Sequence, residues 1–473
     1  MRFTSIEYWF FLVVVFLLYY AINPKYRWSL LLFGSYFFYT YWEPIYGIVL
    51  LFSTLIDYLA AIQISKRKKK AERRFFLGLS LLSNLGLLIF FKLSETISGF
   101  VSINYNLFTH TQESTALNLL IPIGVSFYTF QTLSYTIDVY KSRTKPELHF
   151  GYFALYVSFF PQLIAGPIER STSLLPQLRQ KVTFNYADFI AGGKLIVWGI
   201  FKKLLIADIL VQYSDQVYDQ IDEKNGITSL IGVVLFTLYI YVDFSAYTDI
   251  ALGSARLFGI RLMANFDRPF LSKTVSEFWS KWHISLTSWI FDYMLKPLSR
   301  TTKIDWRLNI LICFFIIGIW HGISIGYIVF GVLNGVLYII SRYTLKRIKV
   351  SKSRKFYAKL VGVSQIVFVS ILMGSTTVFF RSSNLYQAKK VFQNILFGGY
   401  EQVQLFFKTG DVVILALSLL VFYVVQLSRG FSPVSPFQGI KNPVLRNGIY
   451  YLMIVMLMAF GYNTKQEFIY FQF

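Results

Sequence analysis

Long apolar runs separated by short loops are the feature that most constrains the fold of this chain. Of its 473 residues, 55% are hydrophobic and only 15% are charged, whereas soluble domains carry roughly 25% charged residues. Many runs approach the length of about 20 residues that an α-helix needs to cross a bilayer. The sequence therefore predicts an all-α polytopic membrane protein with about eleven or twelve transmembrane helices. The predicted spans cover residues 8–22, 28–42, 45–64, 75–91, 119–139, 189–211, 227–244, 308–320, 325–340, 358–379, 412–426 and 448–461.

Basic clusters between the runs indicate the orientation. The formal net charge is +22, with clusters at residues 66–74, 141–145 and 341–355. Such clusters lie on the cytoplasmic side of membrane proteins and contact anionic lipid headgroups. The loop over residues 95–118 has no Lys or Arg and the loop over residues 215–223 is acidic, as outer loops should be. This pattern places both termini outside and argues against nucleic-acid binding.

Three stretches place polar side chains inside apolar surroundings, and the first two also contain glycine and proline. They cover residues 122–138, with Tyr128 and Gln131, residues 161–170, and residues 243–249, with Asp249. Irregular backbone at membrane depth is tolerated only where it is buried in protein or lines a cavity. We therefore expect a polar tunnel, and a re-entrant segment over residues 150–164, which Pro161 interrupts. The alternative is that the Ser and Gly residues of these stretches only pack helices together.

A helix with a capping-box start is predicted over residues 274–297, where a proline discourages its continuation. On this helix His283 would lie one turn from Trp279, and Trp282 would lie near Ser285. The mixture of aromatic and polar side chains suits a lined cavity. The alternative is an amphipathic helix at the membrane surface, with its Trp residues forming an interfacial belt.

His321 places an imidazole at the end of the apolar run over residues 309–320. An ionisable side chain in this setting is a functional candidate, and a neutral histidine is the common general base. A hydrogen-bonded core histidine packed under Trp320 is an equally weighted alternative. Cys313 is an unsuitable partner, because its spacing from His321 corresponds to about 12 Å of helix rise. As the single cysteine it also excludes an intramolecular disulfide.

The order of five motifs indicates a family. The motifs are Pro161-Gln162-x-x-Ala165-Gly166-Pro167-Ile168, Asp243-Phe244-Ser245-x-Tyr247-x-Asp249, Asn265-Phe266-Asp267-Arg268-Pro269, Glu277-Phe278-Trp279-x-x-Trp282-His283-Ile284-Ser285-Leu286 and Ile319-Trp320-His321-Gly322. With them the chain closely resembles the membrane-bound O-acyltransferase (MBOAT) family from about residue 123 onward. Within the family it resembles the bacterial branch of the alginate O-acetyltransferase membrane subunit, and more distantly the D-alanyl-transferring branch.

The resemblance implies an MBOAT fold around a central tunnel in the bacterial cytoplasmic (inner) membrane. A cytoplasmic acyl donor would meet a hydroxyl acceptor from the outer side. His321 corresponds to the family's essential histidine and would be the general base, and His283 corresponds to its second, supporting histidine. The other candidates for the tunnel or substrate site are Trp279, Trp282, Ser285, Trp320, Asp292, Gln131, Tyr128 and Asp249.

The resemblance also implies the reactants and partners. The donor is expected to be acetyl-CoA or another cytoplasmic acyl thioester, with no metal ion. The acceptor is expected to be an envelope glycan such as peptidoglycan or an exopolysaccharide. A separate periplasmic or envelope acetyltransferase would complete the transfer, and membrane lipids surround the whole. We expect a single membrane domain, with N-terminal spans in residues 1–118, a catalytic core in 119–345 and C-terminal spans in 346–473.

Two departures from the alginate pattern leave the acceptor open. Phe291 precedes Asp292 where those proteins commonly have Arg, and residues 297–300 read Pro-Leu-Ser-Arg in place of Pro-Leu-Gly-Gly. Transfer of D-alanyl or longer acyl groups is the alternative within the enzyme class. A transporter or flippase that uses the same tunnel is the alternative from another class, and the lack of visible sequence symmetry between two halves disfavours it.

Overall fold

The computed structural model describes residues 1–109, 122–301, 303–344, 355–428, 430–461, 466 and 468–469. These ranges fold into α-helices joined by turns and short 3₁₀ and π segments, with no β-strand among them, which confirms the all-α prediction. The helices are α1 Ile6–Ala21, α2 Arg27–Thr40, α3 Pro44–Lys66, α4 Lys70–Thr109, α5 Val125–Tyr140, α6 Phe150–Ser158, α7 Phe160–Leu163, α8 Ser171–Arg179, α9 Tyr186–Lys202, α10 Asp208–Asp219, α11 Gly226–Leu257, α12 Val275–Lys281, α13 Ile284–Ile290, α14 Lys296–Thr301, α15 Trp306–His321, α16 Ile325–Thr344, α17 Lys355–Arg381, α18 Leu385–Phe397, α19 Thr409–Leu427 and α20 Pro443–Phe460.

Seven helices in the described ranges are long and apolar enough to cross a membrane, and the chain is a multi-pass membrane protein. They are α3, α4 over Lys70–Leu93, α11, α16, α17, α19 and α20. The apolar helices α1 and α15 are shorter. Three further predicted spans fall on α2, α5 and α9, which are too short to be counted with these seven.

Several predicted loops are helical. The loop expected over residues 95–118 is part of α4 as far as Thr109, and residues 110–118 of that loop lie outside the described part. The prediction of an acidic loop over residues 215–223 is also wrong in part, because Asp215 and Asp219 lie on α10. Side chains on one face of α10 are buried, so this polar helix gains packing energy that a hydropathy profile does not register.

The chain forms two compact units. The first contains residues 1–189 and 254–262, and the second contains residues 190–253 and 263–473. In the first unit, α3 carries the buried Asp57. Its carboxylate accepts hydrogen bonds from Ser80 and Asn84 of α4, with the Asn84 contacts at 2.9 Å. A buried carboxylate is tolerated when hydrogen bonds satisfy its oxygens, so this cluster joins two membrane-spanning helices.

The predicted re-entrant segment over residues 150–164 is a broken helix pair in the first unit. α6 ends at Ser158, Phe159 adopts a non-helical conformation, and α7 adds a single turn. Pro161 lies in the first turn of α7, where the lack of an N–H costs no helical hydrogen bond. Neither helix is long enough to span a bilayer, as the interrupted sequence predicts.

Candidate active site

His321 is the last residue of α15, in the second unit. α15 packs closely on α16, and Gly331 allows this approach, since a Cβ added to it would clash with the carbonyl oxygen of Phe314. Small residues at such contacts allow helix backbones to approach each other in membranes. Asp305 caps the start of α15 by accepting a hydrogen bond from the Arg307 N–H at 2.7 Å. The packing of α15 on α16 thus determines where the last turn of α15, which carries the imidazole, lies.

Aromatic rings surround the His321 imidazole. The His321 side chain is buried, and its ring centroid lies 4.9 Å from that of Phe380 and 6.0 Å from that of Phe330. The ring centroid of Tyr327 lies 6.3 Å from that of His321. Gly322 follows with an extended backbone, and a Cβ on it would lie 2.5 Å from Cε2 of Tyr327. Glycine is therefore required here for the close approach of the Tyr327 ring.

The continuous helix predicted over residues 274–297 is wrong, although its start is confirmed. The Thr274 hydroxyl accepts a hydrogen bond from the Glu277 N–H at 3.0 Å and caps α12. α12 ends at Lys281, His283 has the left-handed backbone angle φ 43°, and α13 begins at Ile284. His283 and Trp279 therefore do not share one helical face.

Tertiary hydrogen bonds explain this break. The carbonyl of Lys281 accepts from the Asp267 N–H at 3.0 Å, and the Ile284 N–H donates to the carbonyl of Asn265 at 2.8 Å. Both groups would otherwise bond within a continuous helix. The irregular segment between α11 and α12 has replaced these helical bonds and turned His283 out of the helix.

The two candidate histidines converge on one indole. Trp320 lies with its ring centroid 4.7 Å from that of His321 and 5.9 Å from that of His283. Phe244 of α11 packs edge-on against the other side of the site, 4.8 Å from His283. Burial lowers the pKa of His283 to about 3, so its imidazole is neutral at neutral pH. A neutral imidazole has one ring nitrogen that donates a hydrogen bond and one that accepts, so it can take part in a polar contact without carrying charge.

The other aromatic candidates form packing around this centre. Trp279 contacts Phe314 of α15 edge-on at 5.0 Å, which ties α12 to the helix that carries His321. Trp282 stacks on Phe278 at 5.5 Å. Phe266 packs edge-on against Trp282 at 5.2 Å. These rings surround the segment around His283 with apolar surface.

Two polar candidates have identified partners. The Ser285 hydroxyl donates to Oδ1 of Asn265 at 2.6 Å. Asp292 lies in a π-turn over Phe291–Leu295, between α13 and α14, and pairs with Lys296 at 2.6 Å. π-turns inside α-helices are frequent at functional sites. Asp292 is about one-third exposed, whereas Ser285 is buried.

Asp249 belongs to a buried ionic cluster that the sequence analysis missed. The predicted irregular backbone over residues 243–249 is wrong, because this stretch is the interior of α11. Lys202 pairs with Asp249 at 2.8 Å, and Lys203 pairs with Asp243 at 2.7 Å and with Asp208 at 2.9 Å. Two adjacent lysines inside the apolar run over residues 189–211 were the available signal, since ionisable residues at membrane depth mark functional sites.

Residues 468–469 pack against the same part of α11. The Phe468 ring stacks on Tyr247 with centroids 4.1 Å apart, and it contacts Phe244 at 5.8 Å. The Ile469 N–H donates to Oδ2 of Asp243 at 3.0 Å. Phe244 thus packs against both His283 and the segment that ends the described chain.

An apolar cavity of about 530 Å³ lies beside this region in the second unit. Side chains of α11, α17, α18 and α19 line it, and Arg268 and Gln426 supply polar groups. Tyr241 borders the cavity and contacts Trp282 at 6.1 Å. No group of three or more His, Cys, Asp or Glu side chains in the described ranges is placed to hold a metal ion.

Tyr128 and Gln131 lie on α5 in the first unit. Both are buried, and the Gln131 amide donates to the carbonyl of Tyr156 at 2.5 Å. Gln162 donates in turn to the Gln131 side-chain oxygen. These bonds join α5 to the broken helix pair and place Gln131 in an internal polar network of the first unit.

Comparison with known proteins matches residues 141–383 to the family model of membrane-bound O-acyltransferases (MBOAT). The peptidoglycan O-acetyltransferase of Helicobacter pylori is 31% identical over 406 residues, which cover 80% of this chain and 75% of that protein. The probable alginate O-acetylase AlgI of Pseudomonas syringae is 33% identical over 83% of this chain and 74% of its own. The teichoic acid D-alanyltransferase of Bacillus subtilis is 28% identical over 46% of this chain and 58% of its own. The matched region holds both histidines and the helices that position them, and the chain belongs to the membrane-bound O-acyltransferase family, as an acyltransferase.

Proposed function

We propose that this protein transfers an acetyl group from a cytoplasmic acyl thioester to a hydroxyl of a cell-envelope glycan, with His321 as the general base. The observation that carries the proposal is the contact of one indole, Trp320, with both imidazoles. His321 ends α15 whereas His283 lies in the turn between α12 and α13, so their meeting at one point is a product of the tertiary fold. Two relatives are named for the O-acetylation of peptidoglycan and of alginate, which supports acetyl as the transferred group and a glycan as the acceptor.

In the proposed reaction, His321 takes the proton from the acceptor hydroxyl as its oxygen attacks the thioester carbonyl. The tetrahedral intermediate then collapses, the thiolate leaves, and the imidazolium returns the proton to the sulfur. The aromatic surroundings of His321 exclude water, which disfavours hydrolysis of the thioester. His283 supports the site as a neutral imidazole whose ring packs against Trp320.

The proposed setting is the bacterial cytoplasmic membrane with both termini outside, because the basic clusters are expected to face the cytoplasm. The end of α15 then lies toward the outer side, where a glycan or a periplasmic partner acetyltransferase would receive the acetyl group. In this arrangement the acyl donor and the acceptor would meet at His321.

The test replaces His321 with Ala and measures acetate released from purified envelope glycans by mild base. We expect loss of the ester-linked acetate while the variant remains folded in membranes. His149→Ala is the matched control, because this imidazole caps α6 in the first unit by accepting from the Tyr152 N–H. Wild-type acetylation in His321→Ala would overturn the base assignment.

Transfer of D-alanine is the second candidate, and the similarity to the teichoic acid D-alanyltransferase favours it. The same base treatment distinguishes the two functions, since it releases acetate in one case and D-alanine in the other. Glycan that fails to reach the envelope in a deletion strain would instead support a transporter.

A further inference from the structure

The conformation of His283 requires support from outside its own helix. Its φ of 43° lies in the left-handed region, which residues with a Cβ rarely adopt. Strained backbone of this kind persists only where the surrounding structure determines it. The residues that hold the backbone directly after His283 therefore control where the imidazole points.

Asn265 bonds to the two residues that directly follow His283, at the backbone of Ile284 and at the side chain of Ser285. Its carbonyl oxygen accepts from the Ile284 N–H at 2.8 Å, and its side-chain Oδ1 accepts from the Ser285 hydroxyl at 2.6 Å. The Asn265 side-chain amide reaches the Thr248 hydroxyl of α11 at 3.5 Å. Asn265 and Ser285 are both fully buried, so water does not compete for these bonds. One residue thus connects α11 with the first turn of α13.

We propose that Asn265 is a positioning residue for His283: its bonds to Ile284 and Ser285 hold the left-handed turn that directs the imidazole toward Trp320. This inference rests on the proposed function, because it assigns a role to the supporting histidine of that site. It also reassigns Ser285, which the sequence suggested as a substrate-binding residue. The Ser285 hydroxyl is directed to Asn265, so it acts on the backbone conformation.

The two roles of Ser285 predict different kinetics. A substrate-binding hydroxyl contributes to KM when it is lost, whereas a positioning hydroxyl contributes mainly to kcat. We expect Asn265→Ala and Ser285→Ala each to lower kcat by about tenfold or more, since small displacements of a supporting group are costly to catalysis. KM for the acyl thioester should stay within about twofold. The double variant should be no slower than either single variant, because both remove the same hydrogen bond.

The matched control is Asn394→Ala. Asn394 is also a buried asparagine of the second unit, and its amide donates to a backbone carbonyl, that of Ile221, at 2.8 Å and to the Ser229 hydroxyl at 3.2 Å. Asn394→Ala should lower the stability of the protein without the decrease in kcat expected for Asn265→Ala and Ser285→Ala. Ser285→Thr keeps the hydroxyl and should recover most of the kcat lost in Ser285→Ala.

Amide hydrogen exchange provides a readout that does not depend on activity. In the folded protein, the Ile284 amide should exchange at least about tenfold faster in Ser285→Ala than in wild type, and Asn394→Ala should leave it unchanged. If Asn265→Ala fails to fold, Ser285→Ala and Ser285→Thr test the same bond.

Unchanged exchange at Ile284 together with a normal kcat in Ser285→Ala would overturn the proposal, as would a rise in KM alone. His321→Ala is measured in parallel. If that variant retains acetyl transfer, the proposed base is wrong, whereas the exchange result still reports on the Asn265 bonds.

Discussion

Substitution of Gly322 by Ala tests whether the packing around His321 sets its position. Gly322 has φ 172° and ψ 160°, an extended conformation that alanine adopts without strain. The new methyl group would lie 2.5 Å from Cε2 and 2.7 Å from Cδ2 of Tyr327. Because carbon atoms pack at about 3.5–4.0 Å, the ring must move by about 1 Å.

The displaced ring transmits the change to His321. Tyr327 packs against Phe380 at 5.1 Å, and Phe380 packs against His321 at 4.9 Å. Overpacking of this kind costs about 1–3 kcal/mol of stability, and a misplacement of about 1 Å near the chemistry costs up to about 100-fold in rate. We therefore expect Gly322→Ala to remain folded but to lose about 10- to 100-fold in kcat.

The assay measures acetyl transfer by the purified protein together with its thermal unfolding midpoint. Gly399→Ala is the control, because a Cβ at this non-helical glycine would meet no atom within 4 Å. In a Tyr327→Val background, where the clashing ring is absent, Gly322→Ala should cost less than about twofold. A wild-type rate in Gly322→Ala, or an equal loss in both backgrounds, would refute the steric reasoning.

Two further predictions concern buried ionisable groups. Burial lowers the pKa of His283 from 6.5 to about 3. Below about pH 6.5 the unfolded chain therefore binds a proton that the folded protein does not bind. The free energy of unfolding keeps its full value above that pH and falls by at most about 1.4 kcal/mol per pH unit as the pH decreases toward 3. In His283→Gln the thermal unfolding midpoint should depend less on pH between 6.5 and 4 than in wild type. An unchanged dependence on pH would contradict the burial argument. Lys203→Met leaves the carboxylates of Asp243 and Asp208 without their shared lysine, and it should destabilise the protein by about 3–5 kcal/mol. Lys203→Arg, which keeps the charge, should be milder in denaturant titrations, and equal midpoints for Lys203→Met and wild type would disprove this account.

Hydropathy located the membrane-spanning helices because transfer of apolar side chains to lipid dominates their energy. The runs over residues 45–64 and 412–426 correspond to α3 and α19 within two or three residues at each end. The same signal missed α18, a polar helix with one buried face, and ended α11 too early. Helices whose polar groups are buried against protein gain their energy from packing and ion pairs, which a profile along the chain does not contain.

The site shows the same division between local and long-range determinants. His321 and Trp320 could be identified because they end an apolar run and form part of a recognisable motif. The start of α12 followed from the capping box, which depends on residues three positions apart. The turn at His283 could not be predicted, because the bonds that interrupt the helix come from residues 265–267, well before it in the chain. Local propensity favoured a helix through His283, and tertiary hydrogen bonds overrode it at the residue whose orientation the proposed chemistry needs.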